Sequence, residues 1–175
     1  MAKECAYELE RFQDEPPNSV VCTICMAVVK VPVETTCEHL FCKVCITEWQ
    51  AKGNTCPNCK QVLKIKPKPN RILLDLYHSL KIFCKNKEYG CPEILTVKEI
   101  ESHQAQCGYE YVMCSNNDSG TGCTLKIQRR LLEDHLKSCK FRKITCNNGC
   151  GLVIYAKDCI SHNCIDCLLK QISGM

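Results

Sequence analysis

The chain has 175 residues, 19 of them cysteine, and a formal net charge of +4. So dense a cysteine content excludes an ordinary apolar globule and leaves a disulfide scaffold or a metal scaffold. Aromatic residues make up only 6% of the chain, too few for a large core, and the charge falls short of the concentrated basic bias of a dedicated nucleic-acid binder.

Two observations favour metal over disulfides. Histidines stand at ligand spacing from cysteines, and disulfides have no use for them. The start, Met1-Ala2-Lys3-Glu4-Cys5, has no basic segment followed by an apolar run, so a reducing compartment is expected, cytoplasmic with the nucleus as alternative. The longest apolar stretch, residues 20–29, is too short to span a bilayer.

In chain order, residues 1–20 read as a short arm ending in the turn-forming run Asp14-Glu15-Pro16-Pro17-Asn18. Residues 7–12 are expected to pack on the adjoining cysteine-rich module, and Cys5 to be a spare thiol. Four ligand pairs come next: Cys22/Cys25, Cys37/His39, Cys42/Cys45 and Cys56/Cys59. Zinc takes four N/S ligands in a tetrahedron, and a Cys-x-x-Cys turn supplies two of them, so eight ligands imply two zincs. The second and third pairs abut, which makes interleaving the natural solution: first pair with third, second with fourth. Between the ligands, residues 28–33 are apolar and β-branched and predict a strand. Residues 41–52 predict a helix, with Val44, Cys45 and Trp49 at helical spacing and Gly53 as its stop.

The order and spacing of these ligands resemble a RING finger, the cross-braced two-zinc domain of ubiquitin ligases. The resemblance implies one zinc on Cys22, Cys25, Cys42 and Cys45 and another on Cys37, His39, Cys56 and Cys59. Pro32, Phe41, Trp49 and Pro57 fit the same pattern. RING ligases form no covalent intermediate; they hold a ubiquitin-charged conjugating enzyme so that a substrate lysine attacks the thioester, a gain from proximity and orientation. The family's contact with the conjugating enzyme maps to Ile24, Trp49 and Pro57, which read alone would be RING core, helix packing and a stiff turn. Lys60 stands where active members often carry arginine, whose planar fork lysine lacks.

Residues 61–70 read as a linker in which Lys64, Lys66 and Lys68 are solvated. Asn70 is placed to cap a helix over 71–81 with an apolar stripe of Ile72, Leu73, Leu76 and Leu80. His78 on that helix reads as a surface or capping residue. A repeat of about thirty residues then begins. Its units are Cys84, Cys91, His103, Cys107; then Cys114, Cys123, His135, Cys139; then Cys146, Cys150, His162, Cys164. In the first two, histidine and last cysteine are four apart, on one face of helices expected over 97–106 and 131–138. Gly90, Gly122 and Gly149 precede the second cysteine of each unit and let the backbone fold closely round a metal. The units resemble TRAF-type zinc fingers, as found behind the RING of TNF-receptor-associated factors. The ending His162-Asn163-Cys164 departs from the first two units and is similar to that of RING proteins of the neuregulin receptor degradation protein group. Cys164 is accordingly taken as fourth ligand, with Cys167 as the alternative.

The expected architecture is a set of small zinc-stapled α+β modules, a cross-braced RING followed by an array of TRAF-type zinc fingers. Residues 1–20 form the arm, 21–61 the RING, 62–82 the linker and helix, and 83–175 three fingers (83–108, 113–140 and 145–167). Five zincs use sixteen cysteines and four histidines of the chain, leaving Cys5, Cys159, Cys167 and His78. Sites closed by four protein ligands are structural, so any catalysis works by positioning. The expected partners are a ubiquitin-conjugating enzyme, ubiquitin and a substrate or receptor protein bound by the fingers, with a dimer open. No long heptad run follows the fingers, so a coiled-coil domain is expected to be absent. Two other readings stay open. One is an adaptor whose RING is only structural. The other is an RNA-binding finger protein using Lys126, Arg129, Arg130, Lys137, Lys140, Arg142 and Lys143.

Overall fold

The computed structural model describes residues 5–118, 122–146, 150–166 and 169. The chain divides into two units, Met1–Gln106 and Cys107–Met175. Described strands run two or three residues and α-helices seven to ten. Elements this short are not stable alone. In the first unit they share one buried cluster; in the second they surround cysteine-lined turns.

In the first unit, β1 (Ala6–Tyr7), β2 (Val21–Cys22) and β3 (Ala27–Val29) form an antiparallel sheet with β3 in the middle. The register pairs Ala6 with Val29, Tyr7 with Val28, and Cys22 with Ala27. β4 (Pro32–Glu34) and β5 (Leu40–Cys42) make a hairpin, and α1 (Lys43–Gln50) leaves β5 directly. The strand expected over 28–33 is thus two strands in different sheets, parted at Lys30 and Val31. Phe41, expected to open a helix, pairs with Val33 as a strand residue. Gly53 sends its N–H back to the Trp49 carbonyl at 3.1 Å to close the helix end.

α2 (Arg71–Ser79) starts at Asn70, whose side-chain oxygen accepts from the N–H groups of Ile72 (2.9 Å) and Leu73 (3.4 Å). It ends two residues early because Lys81 opens β6 (Lys81–Phe83), paired with β7 (Ile94–Thr96). α3 (Ile100–Gln106) comes next; Glu99 accepts from the Thr96 N–H (3.0 Å) and hydroxyl (2.6 Å) in the turn before it. Val28, Phe41, Ile46, Tyr77, Ile82 and Ile100 are fully buried in one cluster.

The linker is held rather than free. Lys66 N–H donates to Glu34 O at 2.8 Å, and the buried Glu34 carboxylate accepts from the Lys66 ammonium and the Asn70 N–H. Lys64 and Lys68 are exposed. The arm packs as expected: Tyr7 and Phe12 are buried, edge to face at 6.4 Å.

In the second unit, β8 (Tyr111–Met113) pairs with β9 (Lys126–Gln128) and leads into α4 (Arg129–Ser138); β10 (Lys143–Thr145) pairs with β11 (Val153–Tyr155). Cys114, Cys123 and Cys139 are buried with Leu136 and Phe141 against them. Among the described residues no helix is long and apolar enough to cross a membrane.

Candidate metal centres

Five groups of Cys and His gather their ligand atoms within 4.8 Å of one another. At a Zn–S bond of about 2.3 Å, the edge of a tetrahedron of sulfurs is about 3.8 Å. The thiols meet that measure: Cys25 and Cys42 lie 3.8 Å apart, and Cys114 and Cys139 lie 3.9 Å apart. The donor sets, all thiol and imidazole, are those zinc takes in structural sites.

Two of the three Cys-x-x-Cys turns of the first unit, Cys22–Cys25 and Cys56–Cys59, are closed by the residue after them. Met26 N–H donates to Cys22 O (2.7 Å) and Lys60 N–H to Cys56 O (3.0 Å). Both Met26 (φ 56°) and Lys60 (φ 64°) adopt the left-handed conformation this closure requires, as does Glu38 (φ 64°) between Cys37 and His39.

Cys37, His39, Cys56 and Cys59 form one group, with Cys56 Sγ 3.6 Å from His39 Nδ1. Thr35, fully buried and not anticipated from sequence, organises it. Its hydroxyl lies 3.1 Å from Cys37 Sγ and accepts from the His39 N–H at 3.1 Å. Hydrogen bonds from His39 and then Thr35 hold the Cys37 thiol down at about 6.

The other group of the first module departs from expectation. The four thiols within mutual reach are Cys5, Cys25, Cys42 and Cys45, so Cys5 is not spare. The β1–β3 register carries Cys5 to Cys45, with the sulfurs 3.7 Å apart. Cys22 is fully buried and its thiol meets that of Cys42. That hydrogen bond holds Cys22 down at about 4 against the opposing effect of burial, and pushes Cys42 up.

The remaining three groups coincide with the expected sets. Cys84, Cys91, His103 and Cys107 gather, with Cys91 Sγ 3.5 Å from His103 Nε2. Cys114, Cys123, His135 and Cys139 gather, with His135 Nε2 3.2 Å from Cys114 Sγ. Cys146, Cys150, His162 and Cys164 gather, with Cys146 and Cys164 sulfurs 3.3 Å apart and Cys150 3.1 Å from His162 Nε2. Cys167, the alternative ligand, and Gly149 lie outside the described residues. Cys159 is exposed, and the His78 ring lies beside Tyr77 at 5.3 Å.

The other residues singled out from sequence lie around the first module's turns. Thr23 donates to Asn58 at 2.6 Å and so ties the Cys22–Cys25 turn, which carries Ile24, to the Cys56–Cys59 turn, which carries Pro57. Trp49 Nε1 donates to Thr55 O at 2.8 Å, and Lys60 Nζ donates to Pro57 O at 3.0 Å, 6.0 Å from the Trp49 ring centre. Ile24, Trp49 and Pro57 are half-buried and Lys60 is exposed. Thr23 and Asn58 gave no signal in sequence because single polar residues between ligands look like ordinary turn residues.

The basic residues of the second unit are largely committed within it. Arg129 donates to Cys107 O at 2.9 Å, Arg142 to Cys139 O at 3.2 Å, and Arg130 lies 4.5 Å over the Tyr109 ring. Lys137 pairs with Asp134 at 3.0 Å and Lys143 with Asp118 at 3.2 Å.

Residues 22–59 match the model of the C3HC4-type zinc finger (RING finger), and residues 103–162 that of the TRAF-type zinc finger. RING finger protein 151 of Bos taurus is 33% identical over 160 residues, covering 90% of this chain, and that of Mus musculus is 34% identical over the same length. E3 ubiquitin-protein ligase NRDP1 of Homo sapiens is 30% identical over 163 residues, covering 91% of this chain. The chain spans 65% of the length of the first two relatives and 42% of the third.

Proposed function

We propose that this chain, which carries a C3HC4 RING finger followed by TRAF-type zinc fingers, is a ubiquitin-protein ligase working by positioning. Zinc, when bound, braces the turns and supplies no chemistry to the transfer. The likeness to a relative named as an E3 ubiquitin-protein ligase supports the general activity. The finer reading is carried by one observation: the two Cys-x-x-Cys turns are tied by Thr23 and Asn58, with Trp49, Pro57 and Lys60 linked beside them.

In this reading Ile24, Trp49 and Pro57 seat the conjugating enzyme, and Lys60 places a positive charge at the rim. A substrate lysine nitrogen attacks the thioester carbonyl, an isopeptide bond forms, and the conjugating enzyme's cysteine leaves as thiol. The RING restrains the thioester to reactive orientations, and effective molarities gained this way reach about 10⁵ M or more in well-oriented systems. The zinc-finger array binds the substrate or partner. A reducing compartment suits so many thiolate ligands and supports a cytoplasmic location.

The test is the zinc-loaded chain with ubiquitin, activating enzyme, ATP and a panel of conjugating enzymes. Ubiquitin chains with at least one conjugating enzyme, lost on omission of this protein, are expected. No product with any of them, from protein holding its metals, would leave an adaptor with a structural RING.

A further inference from the structure

One hydrogen-bonded joint recurs along the described residues at a fixed place in the repeat. The sixth and seventh residues after the second cysteine of each finger donate their N–H groups to two carbonyls that stand two residues apart. Val97 donates to Leu80 O at 3.0 Å and Lys98 to His78 O at 3.4 Å. Arg129 donates to Glu110 O at 2.8 Å and Arg130 to Gly108 O at 2.9 Å. Ala156 donates to Arg142 O at 2.9 Å and Lys157 to Lys140 O at 2.8 Å. In the last two joints the acceptors stand one and three residues after a metal-site cysteine, Cys107 or Cys139. A cation there lies over the aromatic residue between the acceptors: Arg130 over Tyr109 at 4.5 Å, Lys157 over Phe141 at 4.6 Å. The joint after Cys139 has further ties. Phe141 packs against Cys114, Cys123 and Cys139 and meets the Tyr155 ring edge to face at 6.1 Å. Asp118, in the loop between Cys114 and Cys123, accepts from Tyr155 OH at 2.7 Å and pairs with Lys143 at 3.2 Å. The β10–β11 hairpin of the third finger thus holds both the ligand loop and the last-ligand segment of the second.

We propose that the second and third fingers load metal cooperatively, with this joint as the coupling element. Strands β10 and β11 have three residues each, too few to pair stably alone. Cys146 follows β10 and Cys150 precedes β11, so a metal on Cys146, Cys150, His162 and Cys164 clamps the hairpin. The clamped hairpin presents Lys143, Tyr155, Ala156 and Lys157 in fixed order. Asp118 and the segment after Cys139 are then already held when the second finger takes its metal. Emptying the third finger removes that support, and the second finger must order its own ligands at a cost in affinity. Linkage makes the effect equal in both directions. Such nearest-neighbour terms are how stacked repeats support one another. The inference concerns metal loading and is independent of the ligase reading.

EDTA titration of the full chain loaded with NMR-active cadmium tests it, the second finger's signal being assigned by coupling to the β-protons of Cys114. His162→Ala opens the third finger's site. It is expected to release the second finger's metal at an EDTA concentration about fivefold or more below wild type, the ordinary size of coupling between sites. His135→Ala is expected to weaken the third finger's site by the same factor. The Cys37 centre, in the other unit, is expected to keep its wild-type value. Release of the second finger's metal within twofold of wild type, or an equal loss at the Cys37 centre, would overturn the coupling. Should His162→Ala fail to fold, Ala156→Pro decides. Proline deletes the Ala156 N–H and suits the local backbone, because Tyr155 is extended (ψ 144°) and Ala156 opens a 3₁₀ turn. With every ligand intact, it is expected to weaken the second finger's site about threefold, the net worth of one hydrogen bond, while the third keeps its metal. Unchanged retention at the second finger, or loss at the third alone, would overturn the proposal. Because these readouts need no ubiquitin, their failure is distinct from failure of the ligase reading.

Discussion

Thr35 shows how much one buried hydroxyl can set. Its side chain holds the His39 N–H and faces the Cys37 sulfur, so it orients two ligands of one centre at once. Thr35→Val keeps the shape and removes these bonds. We expect zinc affinity at that centre to fall about tenfold or more, by competition with a chelator; a change under twofold would contradict the role. The His39 side chain first, and then the Thr35 hydroxyl, keep the Cys37 thiol at about 6, below its ordinary value of 9.0. A depressed thiol favours the folded state above its ordinary value, and that contribution is lost as pH falls through about 6. Protons compete with metal for the thiolates, so acid titration is expected to release this metal at higher pH in Thr35→Val than in the wild type. Lys60 offers the other residue-level test. Its ammonium rests on Pro57 O beside Trp49. Lys60→Arg, with a planar fork that bridges two partners, is expected to speed ubiquitin discharge several-fold. An equal or slower rate would count against the rim role.

At the scale of elements, Gly122 is the position that tolerates no change. A Cβ there would meet Asn116 O at 2.1 Å, Asp118 N at 2.6 Å and Asn117 Cα at 2.9 Å, all backbone atoms. Gly122→Ala must push the turn apart, and we expect the Cys114 group to lose its metal at lower chelator concentration than wild type. Retention equal to wild type would show that the turn yields freely. This close approach was legible in sequence, as glycine before the second cysteine. Another such glycine, Gly90, takes a left-handed φ of 98°. Element edges were less legible. Apolar windows over 28–33 and 41–52 report burial, but the division between β3, β4 and β5 depends on which N–H groups find a partner strand. Val33 facing Phe41 is a long-range fact. For the same reason Lys81 reads as helix locally and pairs with Thr96 in the fold.

Across the first unit, arm, RING, linker helix and the β6–β7 hairpin share one core. Arg11 donates to Phe83 O at 2.9 Å, Gln13 N–H to Lys81 O at 3.0 Å, and Tyr77 OH to Lys30 O at 3.1 Å. Glu34, buried under the linker, anchors Lys66 and Asn70. Glu34→Ala is expected to destabilise this unit by about 3 kcal/mol or more, read from denaturant unfolding, since its carboxylate accepts two hydrogen bonds and bonds to charged groups contribute about 1.5–3 kcal/mol each. A loss below about 0.5 kcal/mol would mean the linker is held without it. The ligand pairs and finger repeats were readable because metal geometry imposes fixed local spacing. Cys5 was not, because its partner is set by a strand register that sequence spacing does not encode. The most direct test of positioning at the two tied turns is single-turnover ubiquitin discharge by wild type and Ile24→Ala, with zinc counted in both. Discharge reduced at least about tenfold with zinc unchanged is the expected result, about 1.4 kcal/mol of lost transition-state stabilisation. Equal discharge by both forms would contradict the groove reading.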